Sequence, residues 1–169
     1  IAHNNLGLIM LESGHLNSAV KSFEWAIAYN PGYAEAHNNL GAAFQELNQF
    51  NEAIKQYKKA VGINPEYAQA FNNLGISFES LGLKDEALIH YEKAITIRLD
   101  FPEAHFNLSS IKKYIKGDLQ IPKMKSLLSS GELNHSGQIF INFALAKVND
   151  DLGNKDMLFK FLNVGNQLR

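Results

Sequence analysis

Gly7, Gly41 and Gly75 stand 34 residues apart, and the same interval links Leu6, Leu40, Leu74 and Leu108. It also links Ala19, Ala53 and Ala87, then Phe23, Tyr57 and Tyr91, then Ala26, Ala60 and Ala94, and Pro31 with Pro65. A self-similar period of this size signals units that cannot bury an apolar face alone and do so by stacking. Each unit reads as two amphipathic helical stretches, such as 35–47 and 52–63, with apolar residues at helical spacing. The small residues Gly41 and Ala53 fall where two antiparallel helices approach closely, and Phe44 and Tyr57 are the bulky fillers. The Asn-Pro pairs at 30–31 and 64–65 end the second helix, because the residue before proline disfavours the α region.

The stretch "NNLGAAFQELNQFNEAIKQYKKAVGINP" (38–65) carries the Leu-Gly pair, both alanines, the aromatic and the proline in one unit. On these residues the chain resembles a tetratricopeptide repeat (TPR) protein. The resemblance implies an all-α fold, a solenoid of helical hairpins wound as a right-handed superhelix, with the first helix of each hairpin on the concave side. The expected organisation is three repeats at 1–33, 34–67 and 68–101, a fourth, degenerate hairpin over 102–133, and a degenerate TPR-like closing hairpin over 134–169.

Beyond residue 98 the register decays. Leu99 replaces the proline, Ser109 the glycine, and Asp100 with Glu103 suggests a capping box opening a new helix. In the last hairpin Leu145 and Ala146 align with Leu40 and Gly41, and Leu158 stands where alanine is usual, suggesting a splayed or terminal pair. The segments "FPEAHFNLSSIKKYIKGDLQIPKMKSLL" and "FALAKVNDDLGNKDMLFKFLNVGNQLR" resemble the end of the TPR region of bacterial TPR-sulfotransferases. That implies the recruiting, non-catalytic arm of a larger transferase. No residue of a catalytic centre carries over, and the start at Ile1, inside a repeat, reads as a fragment of something longer.

Two adjacent asparagines recur inside the first helices: Asn4 and Asn5, Asn38 and Asn39, Asn72 and Asn73, then Phe106 and Asn107. Asparagine costs roughly 0.6 kcal/mol against alanine within a helix, so its recurrence asks for a use. Asn5, Asn39, Asn73 and Asn107 would form a column along the concave face. Each amide offers a donor and an acceptor in one plane, suited to successive peptide units of an extended ligand. The column resembles the asparagine ladders of the O-linked N-acetylglucosamine transferase superhelix and of peroxisomal import receptors. Asn4, Asn38, Asn72 and Phe106 are expected on the same face, with Glu35, Gln69 and Glu103 beside them. Four hydrogen bonds at about 1 kcal/mol each give only a millimolar affinity. Side-chain pockets must supply the rest, and Leu8, Leu11, Ile76, Phe106 and Tyr114 are the candidates.

Charge narrows the ligand. Residues 1–103 hold 7 Lys/Arg against 12 Asp/Glu, residues 104–169 hold 9 against 5, and the whole chain has net charge −1. Glu12, Glu35, Glu46, Glu79 and Glu103 should rim the groove, with Lys21, Lys55, Lys58, Lys59 and Lys93 facing outward. TPR domains that clamp acidic chaperone tails use Lys, Arg and Asn. The corresponding positions here are Asn4, Leu8, Asn39, Gln69 and Asn73, without a cation. The expected partner is therefore a neutral or basic extended protein or peptide segment.

Nothing in the sequence points to catalysis, a cofactor or a metal. His3, His37 and His105 recur through duplication, and no phosphate loop, dinucleotide fingerprint or metalloprotease motif is present. "KKYIK" (112–116) and "KMK" (123–125) could touch phosphate but read first as solvated helix faces, the net charge of −1 gives no global argument for nucleic acid, and no apolar run suits a membrane span. The chain has no cysteine. The reading is a non-enzymatic interaction module with a cytoplasmic address. Homodimerisation through exposed array ends is the other possibility the pattern allows.

Overall fold

The computed structural model describes all 169 residues, Ile1 to Arg169. It holds ten α-helices and no β-strand, an all-α solenoid of TPR-type hairpins. Two compact units divide it, Ile1–His90 and Tyr91–Arg169, with the boundary inside one helix, α6 (Lys84–Ile97).

The first unit contains α1 (Ala2–Glu12), α2 (Leu16–Tyr29), α3 (Ala34–Glu46), α4 (Phe50–Ile63), α5 (Ala68–Ser80) and the start of α6. Each helix from α1 to α4 packs on the next, and α1 meets α3 as α3 meets α5. Close approach explains the glycines. A Cβ added at Gly7 would lie 2.4 Å from Phe23 Cε1, and one at Gly41 would lie 2.6 Å from Tyr57 Cε1. The aromatic ring of the second helix thus lies directly on the backbone of the first. Ala19, Ala53 and Ala87 are fully buried.

The turns inside the hairpins repeat as well. Gly14, Asn48 and Gly82, again 34 residues apart, have φ of 75°, 57° and 77°. The following amides, on His15, Gln49 and Leu83, donate back to the carbonyls of Met10, Phe44 and Phe78 at 2.8, 2.8 and 2.9 Å. This left-handed cap satisfies carbonyls the helix end leaves free, and after glycine asparagine adopts it most cheaply. Between hairpins Asn30 and Asn64 are extended, as a following proline demands. Their side chains accept from the Gly32 and Glu66 amides at 3.2 and 3.1 Å. His37 bridges Pro31 O at 3.1 Å and Gln56 Oε1 at 2.9 Å, so this recurrent histidine ties its helix to the preceding turn.

In the second unit α7 (Pro102–Ile111), α8 (Gln120–Ser129) and α10 (Lys155–Gln167) all pack on the 17-residue α9 (His135–Asp151). The expected fourth hairpin is loose: α7 and α8 share α9 as their partner. His105 Nε2 reaches Leu99 O at 3.0 Å, repeating the His37 tie without the proline. The expected capping box is not made. Phe101 is the N-cap, no side chain caps the helix, and Pro102 at the first helical position sets its start.

Between α7 and α8 the chain turns inward. Tyr114 is buried in the core with Met124, Ile141 and Leu145, and its hydroxyl donates to Gln120 Oε1 at 3.1 Å. This corrects its expected place as a groove residue: with the helix ended at Ile111, residue 114 no longer lies on a helix face. The turn is held by Asp151, whose side chain is 3 % exposed. Its oxygens accept from the Tyr114 amide at 3.0 Å, Lys113 at 2.9 Å and Lys147 at 2.6 Å. Burial pushes its carboxyl upward, but the bonds from Lys147, Tyr114 and Lys113 outweigh that and bring it to about 2. Lys112 pairs with Asp118 at 3.0 Å and Glu92 at 3.6 Å. The first two lysines of "KKYIK" are thus structural.

Candidate binding face

The expected asparagines lie on α1, α3 and α5 in the first unit, and there they bond to one another. Gln69 Nε2 donates to Asn73 Oδ1 at 3.2 Å, and Asn73 Nδ2 donates to Asn38 Oδ1 at 3.1 Å. Asn38 Nδ2 donates to Asn39 Oδ1 at 3.4 Å, Asn39 Nδ2 to Asn4 Oδ1 at 3.0 Å, and Asn4 Nδ2 to Glu35 Oε1 at 3.4 Å. Six side chains from three helices form one relay, every bond pointing the same way and ending on a carboxylate.

The doublet now has a physical account. The second asparagine of one hairpin donates to the first asparagine of the preceding one, across 35 residues in both cases. That separation is one period plus one, so two neighbouring amides are what the arrangement needs.

Burial corrects the expectation for the first asparagine of each doublet. Asn4, Asn38 and Asn72 are buried, at 0, 6 and 3 % exposure. At those depths they serve as partners within the scaffold and are not open to a ligand. Asn39, Asn73 and Gln69 are half-buried, and Asn5 and Glu35 are exposed. An amide nitrogen carries two hydrogens, so Asn39, Asn73 and Gln69 each keep one after closing the relay. Asn107, Phe106 and Glu103 are half-buried on α7 of the second unit. Phe106 stacks obliquely on Phe140 at 5.5 Å between ring centres.

Other expected groove residues divide. Ile76 is half-buried. Leu8 and Leu11 pack against the Ala19–Phe23–Leu40 core, so their exposure to a ligand is partial. Lys58 lies over the Phe78 ring at 5.6 Å, against the α5 surface and not simply outward. A further polar tie went unread in the sequence: Gln45 Oε1 accepts from both Tyr57 and Ser77 at 3.2 Å, joining α3, α4 and α5. The 34-residue spacing of Gln45 and Glu79 offered no sign of it.

No group of His, Asp or Glu side chains is arranged to hold a metal ion, and no helix is long and apolar enough to cross a membrane.

Known proteins supply a frame for this geometry. Residues 7–48 and 46–82 match the family described as TPR repeat, and residues 68–101 match the one described as tetratricopeptide repeat. Among solved structures the chain is similar to the first TPR of Spaghetti (RPAP3) bound to HSP90 peptide SRMEEVD, with 22% identity, TM-score 0.64, and 65% of this chain and 87% of that chain covered. It is similar to MamA at 23% identity and TM-score 0.63, over 94% of this chain and 79% of that one. It is also similar to the Arabidopsis OM64 TPR domain at 25% identity and TM-score 0.64, over 68% and 94%. No curated protein sequence matches the chain.

Proposed function

The chain belongs to the tetratricopeptide-repeat family, with residues 7–101 carrying the match, and on that premise we propose that it binds an extended protein segment along the face formed by its first helices. Asn39 and Asn73, with Asn5 and Gln69, take a segment's main chain in the first unit; in the second unit Asn107 and Glu103 are assigned main-chain contacts of their own and Phe106 an apolar contact. Asn4 and Asn38 hold the ladder amides from their buried side, and Glu35 accepts the last bond of the relay. The observation that carries this is the relay. It fixes the orientation of each half-exposed amide before a ligand arrives, which lowers the ordering cost of binding.

The similar RPAP3 domain is bound to an acidic peptide, SRMEEVD. Here the acidic first unit and the absence of cations at Asn4, Leu8, Asn39, Gln69 and Asn73 favour a neutral or basic segment. The transferase resemblance of residues 101–169 supports a second reading, in which the same face recruits a substrate for a catalytic region elsewhere.

The test uses a peptide selected on an array by the wild-type chain. The Asn39→Ala/Asn73→Ala double variant should keep its helicity and lose at least about tenfold in affinity. Asn4→Ala, which weakens the relay from its buried side, should lose less. Unchanged binding in the double variant would overturn the proposal. If sedimentation shows a concentration-dependent dimer that the peptide does not displace, homotypic assembly through the array ends is the better account.

A further inference from the structure

The asparagine at the buried ladder position gives way to phenylalanine in the second unit. Phe106 stands where Asn4, Asn38 and Asn72 stand, and Phe143, two residues before Leu145, takes the same place in the last hairpin. The consequence is a cavity of about 430 Å³ between α7, α9 and the end of α10, lined by Phe106, Ser136, Ile139, Phe140, Phe143 and Arg169. A core position would be closed over, as Ile141 and Leu145 are on the same helix. These three phenylalanines are instead half-buried and face a common space.

Its lining is apolar apart from two residues with polar groups, Ser136 and Arg169. The cationic side chains Lys112, Lys113 and Lys147 are spent on Asp118, Glu92 and Asp151, whereas Arg169 enters no ion pair. Residues 104–169 carry an excess of positive charge, opposite to the first unit.

We infer that this cavity is an anchor pocket for one bulky apolar side chain of a bound peptide, with an acidic residue beside it meeting Arg169. Its size lies in the range of small-ligand sites, which are mostly apolar with a few placed polar groups. Burial of an aromatic or branched side chain supplies the affinity that main-chain bonds lack, and the charge at the rim selects the neighbouring residue. This rests on the peptide-binding reading and gives it a sequence preference. A single apolar–acidic pair is compatible with a segment that is neutral or basic overall.

The test is ¹H–¹⁵N NMR titration of the full chain with the blocked hexapeptide Ala-Ala-Phe-Asp-Ala-Ala, compared with Ala-Ala-Ala-Asp-Ala-Ala and Ala-Ala-Phe-Lys-Ala-Ala. The first should perturb the amides of Ser136, Ile139 and Phe143 and bind about tenfold more tightly than either control. Phe106→Asn should remove that preference. Ile139→Trp, which narrows the cavity and leaves the rest of the lining in place, should weaken it, and Arg169→Ala should erase only the difference between Asp and Lys. Shifts confined to α1, α3 and α5 would overturn the pocket while leaving the groove reading intact. Shifts on neither set would overturn both.

Discussion

The two units solve the same problem, joining one helical hairpin to the next, with different chemistry. In the first, neutral amides repeat at 35-residue separation and each bond is modest. In the second, where the period is lost, one nearly buried carboxylate gathers two lysines and a backbone amide. Repetition lets small contributions accumulate and be replaced one at a time; without it, a single charged centre carries the turn, and its loss has no neighbour to soften it. The same contrast holds for close packing. Gly41 lies directly under a tyrosine ring, whereas a Cβ at Gly165 of α10 would meet the Phe143 ring at 3.2 Å, where a few tenths of an ångström suffice. Gly41→Leu should therefore cost more than about 3 kcal/mol in urea unfolding. Gly165→Ala, aided by about 1 kcal/mol of helix propensity, should stay close to wild type. Equal losses at both sites would remove the distinction.

Much of the fold could be read from the period because periodic residues are local consequences of one packing rule. Gly7 with Phe23 and Gly41 with Tyr57 are each visible as a small residue and a ring 16 positions apart. The candidate site was legible only in outline. The asparagine doublet stood out, but its bonds run between hairpins, and a reading confined to one hairpin assigns both amides to a ligand. Tyr114 was misplaced because its helix stops at Ile111, which nothing local in "SSIKKYIKG" announces. The Asp151 centre joins residues 37 and 38 positions apart outside any repeat, and "NDD" carries no motif. Pro102 displaced the capping box because a ring with fixed φ starts a helix without needing the Asp100 side chain.

Asp151→Ala should be the next largest effect, about 2 kcal/mol, because it leaves the Tyr114 amide and Lys147 without their acceptor. Acid separates this centre from the amide relay. The Asp151 carboxyl is held below its ordinary value of 3.8, at about 2, so at pH 3 the native chain binds fewer protons than the unfolded one. Its contribution is then complete above about pH 4 and lost as pH falls through about 2. Allowing for the solvent screening of exposed Lys113, that amounts to about 1 to 2 kcal/mol. Wild type should lose this much more than Asp151→Asn between pH 4 and pH 2 in denaturant titrations. Parallel acid curves for the two proteins would show that the lysines, not the carboxylate's charge, hold the turn.

The smallest effect decides whether the relay acts as one unit or as separate pairs. Asn38→Ala and Asn73→Ala remove the two ends of a 3.1 Å bond, and their double-mutant cycle should give a coupling of about 0.7 kcal/mol. Asn4 and Asn73 do not touch. Whatever passes between them crosses the Asn38–Asn39 contact, which at 3.4 Å is, with Asn4–Glu35, the longest link in the chain. A bond that long polarises its neighbours least, so Asn4→Ala and Asn73→Ala should add to within about 0.3 kcal/mol. A larger coupling would mean that the amides from Gln69 to Glu35 switch together, and a ligand binding at Asn73 would then be felt at Asn4, two hairpins away.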